Sequence, residues 1–373
     1  MTKAVILSGG WGTRLRPLTC TIPKTLIPVV NIPLMERTVV KLIRAGVKEI
    51  ILAVSVMSDQ LKQYFGDGSK WGIKVLYTNE KEPMGTAGAV KLAEDLIDGD
   101  NFFMLNGDVI NNIDYAEMLA AHKKYGGLGT VSSYVVEDPR RYGTLVINDQ
   151  NRIEDFIEKQ PIDAEGSEIK PMPINAGTYM LENEILSYIE PNRPVSIERE
   201  VFPKITEQGK LYAYEISGIW KDIGLPEDFI SGSFMLLNQM YNEADNNQSK
   251  LIDSSSTIGS NVKITPPVCI DKDVVIESDS NIGPNVIIGK ESYIGPNCEI
   301  SNSILFNNSG ISTNVKIDRT IIADYCKIGE NVVIKGTEKS LVVLSTFVTV
   351  ADNITLQSGD ENFGVCHHES IKE

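Results

Sequence analysis

The sequence predicts an α/β protein in which a doubly wound, mostly parallel sheet covered by helices is followed by a left-handed parallel β-helix. Three observations predict it. From Lys3 to about Ser217, short apolar runs alternate with amphipathic stretches, the pattern of strands buried beneath helices. Isoleucine then recurs at every sixth position, at Ile258, Ile264, Ile270, Ile276, Ile282, Ile288, Ile294 and Ile300. Between these patterns lies a polar stretch, Asn242 to Ser256, with the composition of a linker.

Strands are expected at Ala4 to Leu7, Ile50 to Val54, Lys74 to Tyr77 and Phe102 to Leu105, where apolar residues run together. The helices expected between and after them are Met35 to Ala45, Ser58 to Phe65, Thr86 to Ile97 and Tyr115 to Lys124. Doubly wound sheets bind ligands beyond the carboxyl ends of their strands, which directs attention to the loops starting at Ser8 and Asn106. Pro226 opens a further helix through about Tyr241, since proline suits the first helical turn. The six-residue period predicts one aliphatic side chain per short strand pointing into a shared coil interior, with turns at Gly or Asn. The phase slips between Phe306 and Ile322 and resumes through Ile328 and Ile334, so the coil is expected over 251–336 with an irregular middle and a tail of undefined structure. The domains expected are 1–241, a linker at 242–256, and 257–373.

The chain has 373 residues, 42% hydrophobic and 23% charged, enough for two packed cores. Its formal charge of −15 argues against a nucleic-acid partner, which requires a broad basic face. Cys20, Cys269, Cys298, Cys326 and Cys366 form no C-x-x-C pair, and such scattered cysteines fit a reducing cytoplasm. No stretch approaches the roughly 20 apolar residues of a membrane span, so a soluble cytoplasmic protein without a membrane partner is expected. Positive charge is concentrated locally: residues 1–48 hold Lys3, Arg14, Arg16, Lys24, Arg37, Lys41, Arg44 and Lys48 against the single acid Glu36. Arg37, Lys41 and Arg44 have the spacing of a solvated helix face, whereas Arg14, Arg16 and Lys24 lie in a Gly/Pro-rich loop.

That loop reads Leu7-Ser8-Gly9-Gly10-Trp11-Gly12-Thr13-Arg14-Leu15-Arg16-Pro17-Leu18-Thr19, with Pro23-Lys24 beyond. A strand running into three glycines lets backbone N–H groups close around phosphate oxygens. Arg14 adds a planar donor fork and Lys24 a point charge. The loop is neither a Walker loop nor Gly-x-Gly-x-x-Gly. Asp108 follows the strand Phe102 to Leu105, at the carboxyl edge of the sheet, where a magnesium ion bridging phosphates would sit.

The glycine loop with Pro23-Lys24 resembles the signature of sugar-1-phosphate nucleotidyltransferases. The similarity continues through Glu82-Pro83-Met84-Gly85-Thr86-Ala87-Gly88, Asn106-Gly107-Asp108, Phe156-Ile157-Glu158-Lys159, Asn175-Ala176-Gly177, Ser196-Ile197-Glu198-Arg199-Glu200-Val201-Phe202-Pro203 and Trp220-Lys221-Asp222-Ile223-Gly224. In that order, ahead of a hexapeptide coil, the segments most resemble mannose-1-phosphate guanylyltransferases. The resemblance implies catalytic roles for Arg14, Lys24, Asp108 and Asp222, with Mg2+ on Asp108 and Asp222. It implies that Leu7, Gly9, Gly10, Gly12, Thr13, Arg14, Lys24, Gly85, Thr86 and Asp108 hold the nucleotide, and that Gly143, Glu158, Lys159, Asn175 and Asp222 hold the sugar phosphate. The chain departs from the usual pattern at Ser8, Thr25 and Gln160 and has Gly107 where eukaryotic guanylyltransferases have serine; no charged catalytic group is lost.

The reaction implied is direct displacement at the α-phosphorus of a nucleoside triphosphate by a sugar 1-phosphate, releasing pyrophosphate. GTP with mannose 1-phosphate is the leading pair, and glucose 1-phosphate with UTP, dTTP or ATP the alternative. A non-catalytic regulatory subunit would not need Arg14, Lys24, Asp108, Lys159 and Asp222 together. Acyl transfer, which hexapeptide coils often support, usually calls on a histidine, and Ile258 to Ile334 contains none. Glu80 and Glu82 are candidates for the base edge. The coil is expected to help assemble a homo-oligomer and to contribute no chemistry.

Overall fold

The computed structural model describes residues 2–55, 57–99, 101–157 and 169–372. The amino-terminal region is built on a nine-stranded sheet. Strand β1 (Lys3–Ser8) lies between β2 (Glu49–Val54) and β4 (Asn101–Asn106), parallel to both, and β3 (Lys74–Asn79) pairs with β2 in the same sense. Helices α1 (Leu34–Arg44), α2 (Ser58–Phe65) and α3 (Gly85–Leu92) connect these strands, as the sequence predicts. Helix α4 (Tyr115–Tyr125) follows β4 and is capped by Asp114, whose carboxylate accepts from the Glu117 N–H. Val5, Ile51, Phe102 and Met104 are fully buried on one side of the sheet beside Ala87 and Val90 of α3. This arrangement accounts for the unbroken apolar runs of strands covered on both faces.

The rest of the sheet is largely antiparallel, which the sequence reading did not anticipate. Strands β5 (Gly129–Val136), β6 (Thr144–Ile147), β7 (Ile153–Ile157), β8 (Met172–Glu182) and β9 (Leu211–Glu215) complete it in the order β7-β6-β8-β4-β1-β2-β3, with β5 bridging β8 and β9. The eleven-residue β8 runs antiparallel to β4, β5 and β6. Its register with β5 shifts between Asn175 and Tyr179, where Gly177 adopts φ 78. A Cβ on Gly177 would lie 2.7 Å from Asn106 Nδ2, so glycine permits this bulge to close on the end of β4.

The carboxyl-terminal region is a coil of short strands stacked in three parallel sheets, as a left-handed β-helix requires. One sheet runs from Thr257–Ile258 to Ser370–Ile371, a second from Lys263–Ile264 to Thr355–Gln357, and a third from Val268–Ile270 to Phe363–Val365. Ile276, Ile282, Ile288, Ile294 and Ile300 fill the interior. The irregular middle is a shortened turn: stacked corner residues are 18 apart at Asn261 and Asp279, but 17 apart at Asn314 and Asn331. Single residues, Asn302 at φ 43 and Arg319 at φ 50, now make the corners. The stretch after residue 336, expected as an undefined tail, continues the coil through Ile371. There the spacing grows to 22, between Asn331 and Asn353, which is why the six-residue period fades from the sequence.

The stretch expected as a linker is also ordered. Helix α6 (Pro226–Glu243) follows α5 (Phe202–Glu207). Beyond it, the Gln248 side chain both donates to the Val268 carbonyl and accepts from the Val268 N–H at 3.0 Å, as an extra strand would. By packing, the chain divides into Met1–Gly10 with Met35–Trp220, and Trp11–Leu34 with Lys221–Glu373. This division runs across the boundary drawn at residue 241: Trp11–Leu34 and α6 belong with the coil.

Candidate active site

The amino-terminal unit carries one set of the expected site residues on the carboxyl ends of its strands. Leu7 is in register with Asn106, and the Gly107 N–H donates to the Leu7 carbonyl at 3.0 Å. The half-buried Asp108 therefore occupies a two-residue turn beside the end of β1. Gly9 is held by the Ser55 hydroxyl, which donates to its carbonyl at 2.5 Å. A Cβ on Gly9 would stand 2.9 Å from Glu80 Oε1. The other Glu80 oxygen accepts from the Met84 N–H at 3.0 Å, just ahead of Gly85. Glu80 thus shapes the loop entering α3 while lying against the glycine loop.

Gly85 adopts φ 70, and a Cβ there would lie 2.6 Å from the Val195 carbonyl. The Thr86 hydroxyl donates to Glu198 Oε2 at 2.8 Å and accepts from the Ile197 N–H. Glu198 also accepts from the Ser196 and Tyr179 hydroxyls. Tyr179 in turn accepts from Asn175 Nδ2 at 2.9 Å, while Asn175 Oδ1 accepts from the Gly177 N–H and the Asn175 N–H donates to the Gly143 carbonyl. One hydrogen-bonded chain thus joins Thr86, Glu198, Tyr179, Asn175 and Gly143. Sequence reasoning gave Glu198 no role; its signal was the Ser196-Ile197-Glu198 motif. Glu158 and Lys159 lie outside the described residues.

Lys3, counted among the local positive charge, serves another purpose: it is buried and paired with Glu49 at 3.0 Å and Asp98 at 2.6 Å. Lys41 donates to the Asn111 carbonyl.

The second unit carries the cationic groups. The segment Trp11–Leu34 is a succession of single turns at Thr13–Leu15, Leu18–Cys20 and Lys24–Leu26. Gly12 adopts φ 58, and its carbonyl accepts from the Thr19 hydroxyl at 2.8 Å. A Cβ on Gly12 would lie 2.9 Å from Thr19 Cγ2 and 3.2 Å from Lys24 Cβ, so the third glycine allows the loop to fold back on Lys24. Lys24 Nζ stands 3.7 Å from Asp222 Oδ1, with the lysine side chain 10% exposed and the aspartate 24%. The Arg14 guanidinium reaches the same place: a Cβ on Gly224 would lie 3.1 Å from Arg14 Nη2 and 3.3 Å from Asp222 Oδ2. Three groups separated by up to about 200 positions of chain thus converge, two cationic and one anionic. Thr13 is exposed beside them, as is Trp11 at 60%. Two cations held at a glycine turn next to a carboxylate can bind a polyphosphate and compensate its charge during phosphoryl transfer.

This is the chemistry of an enzyme that handles phosphorylated substrates, and comparison with known proteins specifies it. Residues 3–239 match the nucleotidyl transferase family and residues 264–373 the GMPPB C-terminal domain. The mannose-1-phosphate guanyltransferase of Aspergillus oryzae is 36% identical over the whole chain and 97% of its own length. The mannose-1-phosphate guanylyltransferase catalytic subunit beta of Danio rerio is 41% identical over 69% of the chain and 73% of its own length. Among solved structures, HddC from Yersinia pseudotuberculosis complexed with GMP-PN is 31% identical with a TM-score of 0.53, covering 62% of this chain and 98% of that one. A putative glucose-1-phosphate thymidylyltransferase from Bacillus anthracis is 26% identical with a TM-score of 0.57, covering 62% and 94%. The chain belongs to the nucleotidyl transferase family, in its mannose-1-phosphate guanyltransferase branch.

Proposed function

We propose that the protein transfers a guanylyl group from GTP to mannose 1-phosphate, giving GDP-mannose and pyrophosphate. The observation that carries this reading is the convergence of Arg14 and Lys24 on Asp222 at a glycine turn, in a chain related over its full length to a mannose-1-phosphate guanyltransferase. A phosphate oxygen of mannose 1-phosphate attacks the α-phosphorus of GTP, and the bond to the departing pyrophosphate breaks. No protein nucleophile is required. Arg14 and Lys24 compensate the negative charge that moves onto the leaving group, and the amides of Gly9, Gly10 and Gly12 cradle the phosphates. Gly85, whose missing Cβ makes room for the Val195 carbonyl, holds the turn that meets the nucleoside. Asn175, oriented by Tyr179 and Gly177, meets the sugar; Lys159 is assigned to its phosphate.

Asp108 and Asp222 have the chemistry to hold magnesium, which takes one or two protein carboxylates and fills its remaining positions with water and phosphate oxygens. No group of three or more His, Cys, Asp or Glu side chains forms a metal cage among the described residues, so these aspartates would act with the substrate. When bound, the ion supplies positive charge to the triphosphate. The enzyme is assigned to the cytoplasm and to a homo-oligomer; among the described residues no helix is long and apolar enough to cross a membrane. The test is pyrophosphate release over a grid of GTP, ATP, UTP and dTTP against mannose 1-phosphate and glucose 1-phosphate. GTP with mannose 1-phosphate should give the highest kcat/KM, and a preference for a glucose 1-phosphate pair would refute the substrate assignment.

A further inference from the structure

We propose that the coil segment Leu341–Val365 holds the reacting groups Lys24 and Asp222 in position, with Ser345, Thr346 and Asn362 as positioning residues and Gly364 as the seat for Pro17. This rests on the reading of Lys24 and Asp222 given above, and it assigns the coil a part in turnover beyond assembly.

The tethers to the Lys24 loop are specific. The fully buried Ser345 hydroxyl donates to the Pro17 carbonyl at 3.0 Å. The next residue, Thr346, shares a hydrogen bond with the Thr21 hydroxyl at 2.8 Å. Gly364 lies so close to the Pro17 ring that a Cβ there would stand 3.3 Å from Pro17 Cδ. On the far side of Lys24, Asn31 sits at φ 63 in the turn between Pro28–Val29 and Ile32–Pro33, and its Nδ2 donates to the Ile288 carbonyl at 3.0 Å. Lys24 therefore lies between two points at which the coil grips the loop. Thr19, between Pro17 and Thr21, carries the hydroxyl that bonds Gly12 and the methyl that packs against it.

The segment leaving Asp222 is tied to the same part of the coil. Lys221 pairs with Asp228 at 2.9 Å in the first turn of α6, and Glu227 accepts from Asn362 Nδ2 at 2.6 Å. Asn362 Oδ1 accepts from the Leu341 N–H at 2.7 Å. Both partners of the Lys24–Asp222 pair thus refer to Leu341–Val365. A loop of isolated turns has no ladder to set its own shape, and polar tethers from a rigid coil supply that shape in advance, the condition for aligning groups with a transition state. These side chains are not part of the aliphatic filling of the coil, so the coil does not require them for its interior.

The test compares full-length Gly364→Val, Thr346→Val, Thr346→Ser and Asn362→Leu with the wild type. Valine at 364 suits a strand and pushes on Pro17 without removing a hydrogen bond. Steady-state kinetics with GTP and mannose 1-phosphate should show kcat falling about 10- to 100-fold for Gly364→Val and Thr346→Val. KM for mannose 1-phosphate and Tm should stay near wild type, and Thr346→Ser should restore turnover. Hydrogen exchange of the Leu18 to Leu26 amides, which needs no substrate, should speed up in the same variants. Wild-type kcat and exchange in both variants would overturn the inference, as would losses that follow Tm and are not rescued by serine. An inactive wild-type protein would sink the functional reading instead, with exchange still deciding the tethers.

Discussion

Replacing Gly12 with alanine tests whether the glycine loop depends on a position that only glycine fills. At φ 58 and ψ 31, a residue with a Cβ bears a backbone cost of about 1–2 kcal/mol. The added methyl would also stand 2.9 Å from Thr19 Cγ2 and 3.2 Å from Lys24 Cβ, and relieving such overpacking costs about 1–3 kcal/mol more. Together these make about 2–5 kcal/mol, concentrated on a loop of single turns, so the loop yields before the sheet does. The nearest movable groups are Thr19 and Lys24 itself. A displacement of about 1 Å near reacting groups costs on the order of 10²-fold in rate. Gly126→Ala is the control: Gly126 closes α4 at φ 67 with nothing within 4 Å of a new Cβ, so it incurs the backbone cost alone. Pyrophosphate release and thermal unfolding should show both variants somewhat destabilised but only Gly12→Ala slow. Wild-type turnover in Gly12→Ala would refute the argument that its contact with Lys24 sets the geometry of the site.

Lys24→Met and Asp222→Asn should each lower kcat about 10²- to 10³-fold, the usual effect of removing a group that stabilises transition-state charge; folded variants with normal kcat would remove these residues from the chemical step. Excess chelator should stop pyrophosphate release and added magnesium should restore it, whereas continued reaction in chelator would free Asp108 and Asp222 of a metal role. His122 is buried between Thr130 and Glu182, with ring contacts of 2.9 and 2.8 Å. Burial depresses its pKa below the ordinary 6.5, outweighing the raising effect of Glu182. A depressed histidine pKa means the unfolded chain binds the proton first, so the associated stability is complete above about pH 6.5 and declines as pH falls toward the folded-state pKa. Tm should therefore drop between pH 7 and 5 more steeply in the wild type than in His122→Gln, and parallel curves would exclude this histidine.

Much of this was legible in the sequence because periodicity and local chemistry act over short distances. The parallel strands and α1 to α4 announced themselves through apolar runs and amphipathic stretches, and the isoleucines through their spacing. The antiparallel part was not legible, since β8 pairs with three strands that lie far before it in sequence and its bulge depends on Gly177 meeting Asn106. Arg14, Lys24 and Asp222 could be named from a resemblance, but their convergence is a tertiary fact. The coil past residue 336 was missed because its turns lengthen, and with it went Ser345, Thr346 and Asn362. Serine, threonine and asparagine at such turns look like ordinary corner residues until their partners are seen.

Those lengthened turns separate two properties that most folds combine. The rungs of the coil are fixed by strand pairing, Val342 to Leu344 over Thr320 to Ile322 and under Phe363 to Val365. Residues added at a corner bulge outward and leave every rung where it was. The corner at Gly336 to Leu341 folds onto the next, where Ser340 bonds Ser358 and the Gly359 carbonyl, and that second corner carries the asparagine that reaches α6. An insertion or deletion there would retune the grip on the reacting groups while sparing the interior. In this architecture, catalytic adjustment can be inherited as a change of loop length far from any residue that meets substrate.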